Sequence, residues 1–165
     1  ENTILFSCSR DVCKAVLSAP PKAAFFNMRD VTIPDFVGGE RLDTWAAVVV
    51  VNSTHAPLRG WSILAVPSGT VSPYGHLLAS EWPVIESMTV RKVGFRVSSP
   101  SPAVLGPHSL RLELLDDKKR VVDTATLVLR VLGKAVPRRE TFISAIDGST
   151  QYYAGQLGRH PHVPV

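Results

Sequence analysis

The sequence predicts a mainly β protein: an immunoglobulin-like antiparallel β-sandwich with a short N-terminal helix before it and a C-terminal hairpin after it. Three observations point there. The 13 prolines and 11 glycines among 165 residues cut the chain into pieces too short for long helices. A composition 45% hydrophobic but only 7% aromatic suits one aliphatic core, and a chain of this length buries roughly 70% of the surface its unfolded form exposes. From Trp45 onward, "WAAVVVVN", "WSILAV", "TVRKVGFRV", "SLRLELLD" and "RVVDTATLVLRV" recur as β-branched or alternating runs bounded by turn residues.

The elements follow in order. In "SRDVCKAVLS", Val12, Ala15, Val16 and Leu17 fall along one helical stripe, Ser9 can cap the first turn, and Ala19-Pro20-Pro21 ends it. Pairing Cys8 with Cys13 would conflict with that helix, since residues five apart do not share a helix face, so two free thiols are expected. "FFNMRDVTIPDFVGGERLDTW" has no sustained period; Pro34 and Gly38-Gly39 make it an extended strap laying Phe25, Phe26, Ile33 and Phe36 over the core. Val48 to Val51 is β-branched without alternation, as expected of a central strand buried on both faces or partly under the N-terminal strap. Leu110, Leu112 and Leu114 share one strand face and Arg111 and Glu113 the other, while Asp116 to Lys119 is a polar hairpin tip. The domain plan is helix and strap over 1–44, sandwich core over 45–136, and junction hairpin with tail over 137–165.

The formal charge is +4, but the basic residues alternate with Val, Leu and Phe at strand spacing and lack accompanying stacking aromatics, so a solvated sheet face is expected and nucleic acid is not. The longest apolar run, Trp45 to Val51, is far short of the roughly 20 residues that span a bilayer, and no membrane span is expected. No signal peptide is visible, although a mature chain would have lost one; the compartment stays open, with secreted or periplasmic placement favoured over cytoplasmic. Asn52-Ser53-Thr54 matches a glycosylation acceptor triplet, meaningful only in a eukaryotic secretory setting.

Gly60-Trp61-Ser62-Ile63-Leu64 approaches the nucleophile-elbow pattern but ends in Leu, and its alternation puts Ser62 on a regular strand. No phosphate loop or dinucleotide fingerprint occurs. Among the 5 histidines, His160 and His162 flank a proline in a tail whose default state is solvated. No catalytic residue, metal or cofactor is expected. The irregular "VPSGTVSPYGHLLASEWP" is the candidate ligand loop, with Tyr74 and Trp82 for stacking and His76 and Glu81 for polar contacts; the alternative is that Tyr74 and Trp82 cap the core.

"ETFISAIDGSTQYYAGQ" reads as two strands hinged on Asp147-Gly148 in a type I′ turn. An isolated hairpin is marginal in water, so it must dock, and Phe142, Ile146, Tyr152 and Tyr153 are the expected interface anchors. "RRETFISAIDGSTQYYA" resembles the opening of the catalytic domain in bacterial α/β-hydrolase proteins of the esterase and prolyl-oligopeptidase-like kind, and "FNMRDVTIPDFVGGERLDTWAAVVVVN" with "VRKVGFRV" is similar to their N-terminal β-rich domain. In that family the nucleophile elbow, acid and histidine lie downstream of this hairpin, so the resemblance transfers no catalytic residue. It implies a non-catalytic accessory domain that shields or orients the active site, its partner being a hydrolase domain in cis or on a cleaved chain. The alternative function is a self-standing carbohydrate- or protein-binding module. "GQLGRHPHVPV" departs from the longer apolar strand with which the family continues.

Overall fold

The computed structural model describes residues 22–67, 74–99, 104–134 and 136–155. The expected helix at 9–18, Cys8, Cys13, His160 and His162 lie outside the described residues, as does the Tyr74 side chain. The described residues form ten strands: β1 Ala24–Thr32, β2 Asp35–Val37, β3 Leu42–Asn52, β4 Ser62–Pro67, β5 Tyr74–Leu77, β6 Val90–Ser99, β7 Gly106–Leu115, β8 Val121–Leu132, β9 Arg138–Ile143 and β10 Thr150–Gly155. Among the described residues there is no helix.

Eight strands form a sheet of order β1-β3-β6-β5-β4-β7-β8-β2, and β9 and β10 form a separate pair. All pairings are antiparallel except β2 with β8, which is parallel. The short β5 bonds to both β6 and β4, and there the sheet folds over into two layers, β1-β3-β6-β5 and β4-β7-β8-β2. This is the strand arrangement of an immunoglobulin-like sandwich. The strap segment supplies both ends of the sheet. β1 pairs with β3, its register slips between Asn27 and Thr32, and after Pro34 the chain crosses to β8 as β2. A bulge and a proline are what a strand needs to leave one layer and join the other.

The core lies between the layers. Ala46, Val48 and Val50 of β3 and Val93, Phe95 and Val97 of β6 meet Ile63 and Ala65 of β4, Leu110, Leu112 and Leu114 of β7, and Leu127, Leu129 and Val131 of β8, with Phe26 and Phe36 closing the sides. Each set is spaced by two, as side chains on one face of a strand must be. At the open side of β1, Asp123 of β8 accepts the Phe26 N–H at 2.8 Å, so a carboxylate stands in for the strand that would otherwise pair there.

β3 is buried on both faces: Ala47 and Val49, which point away from the core, are as hidden as their inward neighbours. The outer cover comes from the terminal hairpin, which contacts β3, β6 and β1. The turn of that hairpin differs from the expected two-residue type I′. Ser144 N–H donates to Ser149 O at 2.8 Å and Gly148 N–H to Ser144 O at 2.9 Å, leaving Ala145, Ile146, Asp147 and Gly148 in the loop. Only Gly148 takes a positive φ, 69°. Asp147 instead accepts the Ser149 N–H and hydroxyl at 3.0 and 2.7 Å, an Asx turn that a short type I′ turn leaves no room for.

Asn52 is buried, and its carboxamide donates to the carbonyls of Ala56 and Glu86, each at 2.8 Å, while accepting from Thr54 N–H at 2.9 Å and Thr54 Oγ1 at 2.7 Å. The acceptor triplet therefore offers no accessible amide in the folded chain; Asn52 ties the end of β3 to the loops that follow it.

Candidate functional site

The site is the docked hairpin, and its geometry begins with small residues on β3 and β6. Ala47 faces Gly94 across the two strands, so the outer surface there is low enough for a second layer of backbone. A Cβ on Gly94 would lie 2.6 Å from Thr150 Oγ1. Thr141 Oγ1 donates to the Trp45 carbonyl and, its proton so engaged, accepts from Thr44 Oγ1 at 2.9 Å. Thr141 sits opposite Tyr152, and Thr150 opposite Ile143; alternation puts these on the face turned toward the sandwich.

Glu140, Phe142, Gln151 and Tyr153 occupy the other face. Phe142 and Tyr153 stand 6.2 Å apart between ring centroids, tilted by 45°, and are 45% and 51% exposed. Ile146 at the tip is 97% exposed. The hairpin's polarity is thus mixed: the Thr141 and Thr150 hydroxyls share the sandwich-facing side with Ile143 and Tyr152, while Phe142, Tyr153 and Ile146 face solvent. The Tyr153 hydroxyl donates to Glu140, whose other oxygen takes Arg138 Nε at 2.7 Å. The Tyr153 hydrogen bond, with Arg138 beside it, holds the Glu140 carboxyl below its ordinary range, and the Glu140 charge pushes the Tyr153 phenol up. The pair stays a carboxylate and a neutral phenol, a rigid hydrogen-bonded edge beside the apolar rings.

The hairpin root is fixed by Asp35. Arg130 Nε and Nη2 each lie 2.9 Å from its oxygens, and the Arg139 N–H donates at 2.9 Å. Burial pushes this carboxyl up, but the hydrogen bonds from Arg139 and Arg130 outweigh it and leave it below the ordinary value. Above the root, a cleft of about 150 Å³ is lined by Pro34, Glu40, Thr44 and Glu140 among others.

The ligand-loop residues are dispersed. Tyr74 opens β5 and pairs through its backbone with Ser98. His76 is half-buried on β5, in register with Leu64 and Arg96. Glu81 accepts the Leu78 N–H at 3.0 Å and closes a turn. Trp82 is 7% exposed, 6.5 Å from Trp61, with its indole N–H on Leu58 O at 3.3 Å. Among the described side chains of this set, Glu81 lines a groove of about 290 Å³ together with Trp45, Arg91 and Ile143 of the hairpin. Asp35, Trp45, Gly94, Thr141 and Thr150 escaped the sequence reading. The visible trace was the alanine at 47 with the glycine at 94, small residues on the outer face where longer side chains would stand on a solvated strand.

Ser62 lies buried on β4, its hydroxyl accepting from Lys119 Nζ at 3.2 Å. Among the described residues no group of three His, Cys, Asp or Glu could hold a metal ion, and no helix is long and apolar enough to cross a membrane.

No protein-family model matches the chain, and no curated protein matches it. Solved structures similar to it include Amycolatopsis orientalis exo-chitosanase CsxA, at 15% identity and TM-score 0.46, covering 80% of this chain and 15% of that one. The FixG-related protein from Vibrio parahaemolyticus matches at 16% identity and TM-score 0.40 over 68% of this chain and 97% of its own. WR4, a C. elegans MSP family member, matches at 3% identity and TM-score 0.37 over 61% and 99%. The chain spans about 15% of the length of the chitosanase, and none of these likenesses carries an activity to it.

Proposed function

We propose that this chain is a non-catalytic accessory domain of a larger α/β hydrolase, an esterase or peptidase, and that its terminal hairpin is the seam against the catalytic domain. The observation that carries the reading is the outward placement of the paired Phe142 and Tyr153 rings. A hairpin whose only role was to cover β3 would turn Phe142 and Tyr153 inward, because burying an aromatic ring is worth about 1.5–3 kcal/mol. Here threonines and an ion pair hold it down, and the Phe142 and Tyr153 rings, with Ile146 at the tip, stay available to a second surface, while Tyr152, on the opposite face, is itself half-exposed. Aromatic anchors of this kind dominate interfaces at low entropic cost. The same residues carry the sequence resemblance to the start of a hydrolase domain, so the seam and the domain it would serve coincide. The alternative of a stacking-based carbohydrate module is weakened because the Trp82 ring is turned into the core.

The test is the parent reading frame. An α/β-hydrolase domain with its nucleophile elbow encoded beyond Val165 is the expected result; a stop codon directly after Val165, with no such domain encoded next to it, overturns the reading. Where the domain is present, Phe142→Ser with Tyr153→Ser is expected to loosen its association with the sandwich, seen as a linker-cleavage rate raised several-fold in limited proteolysis.

A further inference from the structure

At the hairpin root, one carboxylate gathers partners from two distant parts of the chain. Asp35 has a side chain 1% exposed. Arg130, on the neighbouring β8, grips both of its oxygens, an arm that belongs to the sandwich. Arg139, on β9, brings its backbone N–H and, at 3.3 to 3.4 Å, its guanidinium, an arm that belongs to the hairpin. The Thr141 hydroxyl adds hydrogen bonds from hairpin to sandwich, to Trp45 and Thr44, while the rings of Phe142 and Tyr153 point away. Ile143 and Tyr152 share the docking face but stay 40% and 58% exposed, so a buried, charge-assisted contact carries a large share of the docking.

We propose that Asp35 is an ionic latch: it holds the hairpin Arg138–Gly155 against β3 and β6, and when it is broken the hairpin undocks as one unit while the sandwich stays folded. The charged groups around the latch are Arg130 of β8, Arg138, Arg139 and Glu140 of β9, and Glu40 of the turn after β2. The three arginines favour the carboxylate, and the two glutamates oppose it without contacting it. The proposal rests on the seam reading only for its consequence, that release would swing the apolar face out of its fixed orientation and uncover the outer side of Ala47.

Hydrogen exchange followed by mass spectrometry on the full chain tests it. Asp35→Asn is expected to speed exchange across Arg138–Gly155 by roughly tenfold to a hundredfold, the population change that follows loss of one hydrogen bond to a charged group, with β3 and β7 as protected as before. Exchange that rises equally in β3, β7 and the hairpin, or that does not rise in the hairpin, overturns the latch. Should Asp35→Asn fail to fold, Arg139→Met decides instead, since it cuts only the hairpin's side-chain arm: faster exchange confined to the hairpin supports the latch, and unchanged exchange overturns it. Because the assay needs no second domain, a reading frame lacking a hydrolase would remove the seam and leave the latch standing.

Discussion

Two buried polar side chains do most of the joining in this molecule, Asp35 at the hairpin root and Asn52 at the end of β3. Asn52 satisfies carbonyls from two later loops, so Asn52→Ala leaves those acceptors buried without donors and is expected to lower unfolding free energy by about 2–4 kcal/mol, read from urea titration. Asp35 adds a pH dependence whose sign follows from its environment. Burial raises its carboxyl, the Arg139 and Arg130 hydrogen bonds lower it further, and the net position is below 3.8. A carboxyl depressed in the folded state contributes stability that is present above its unfolded value and is lost as pH falls through the folded one. Protection of the hairpin amides, corrected for intrinsic exchange, is therefore expected to hold constant from neutrality down to the ordinary aspartate range and to fall only below 3.8.

At the scale of elements, the hairpin and β6 fit because Gly94 has no side chain. Alanine there would bring a Cβ to 2.6 Å from Thr150 Oγ1, and threonine, stiff at its first torsion, cannot easily turn aside. Gly94→Ala is expected to raise hairpin exchange, and adding Thr150→Ala to restore it, an interaction of about 0.5–3 kcal/mol between the two changes. The hairpin loop makes a separate demand: Gly148 sits at φ 69°, so Gly148→Ala is expected to cost roughly 1–2 kcal/mol of local stability, measured as faster exchange across 144–149. β1 and β2 show the opposite economy, one stretch of chain pairing with β3 and then with β8 and so binding the two layers at their open side.

For the whole molecule, the large apolar side chains divide into a core and a reserve. Phe36→Ala is expected to lower stability by about 3–5 kcal/mol, because the ring is fully buried between the layers. Phe142→Ser with Tyr153→Ser is expected to leave the urea midpoint of this chain nearly unchanged, within about 0.5 kcal/mol per site, since both rings are half-exposed and contact one another. A large loss of stability from that double change would mean that the hairpin's outer face supports the sandwich and is not held for a second surface.

Strand content, the inward face of β7, the polar tip at Asp116 to Lys119 and the existence of the terminal hairpin were all legible in the sequence, because each depends on a two-residue alternation or on turn residues a few positions apart. The tertiary structure alone decided that the strap feeds both layers, that the hairpin lies with its threonines down and its Phe142 and Tyr153 rings out, and that Trp82 belongs to the core. It alone joined Asp35 to Arg130 and Arg139, partners 95 and 104 positions away. Periodicity reports which side of a strand is apolar. Which layer covers that side, and whether a lone carboxylate finds a cation across a hundred residues, depends on how the sheet folds over, and no local pattern encodes that.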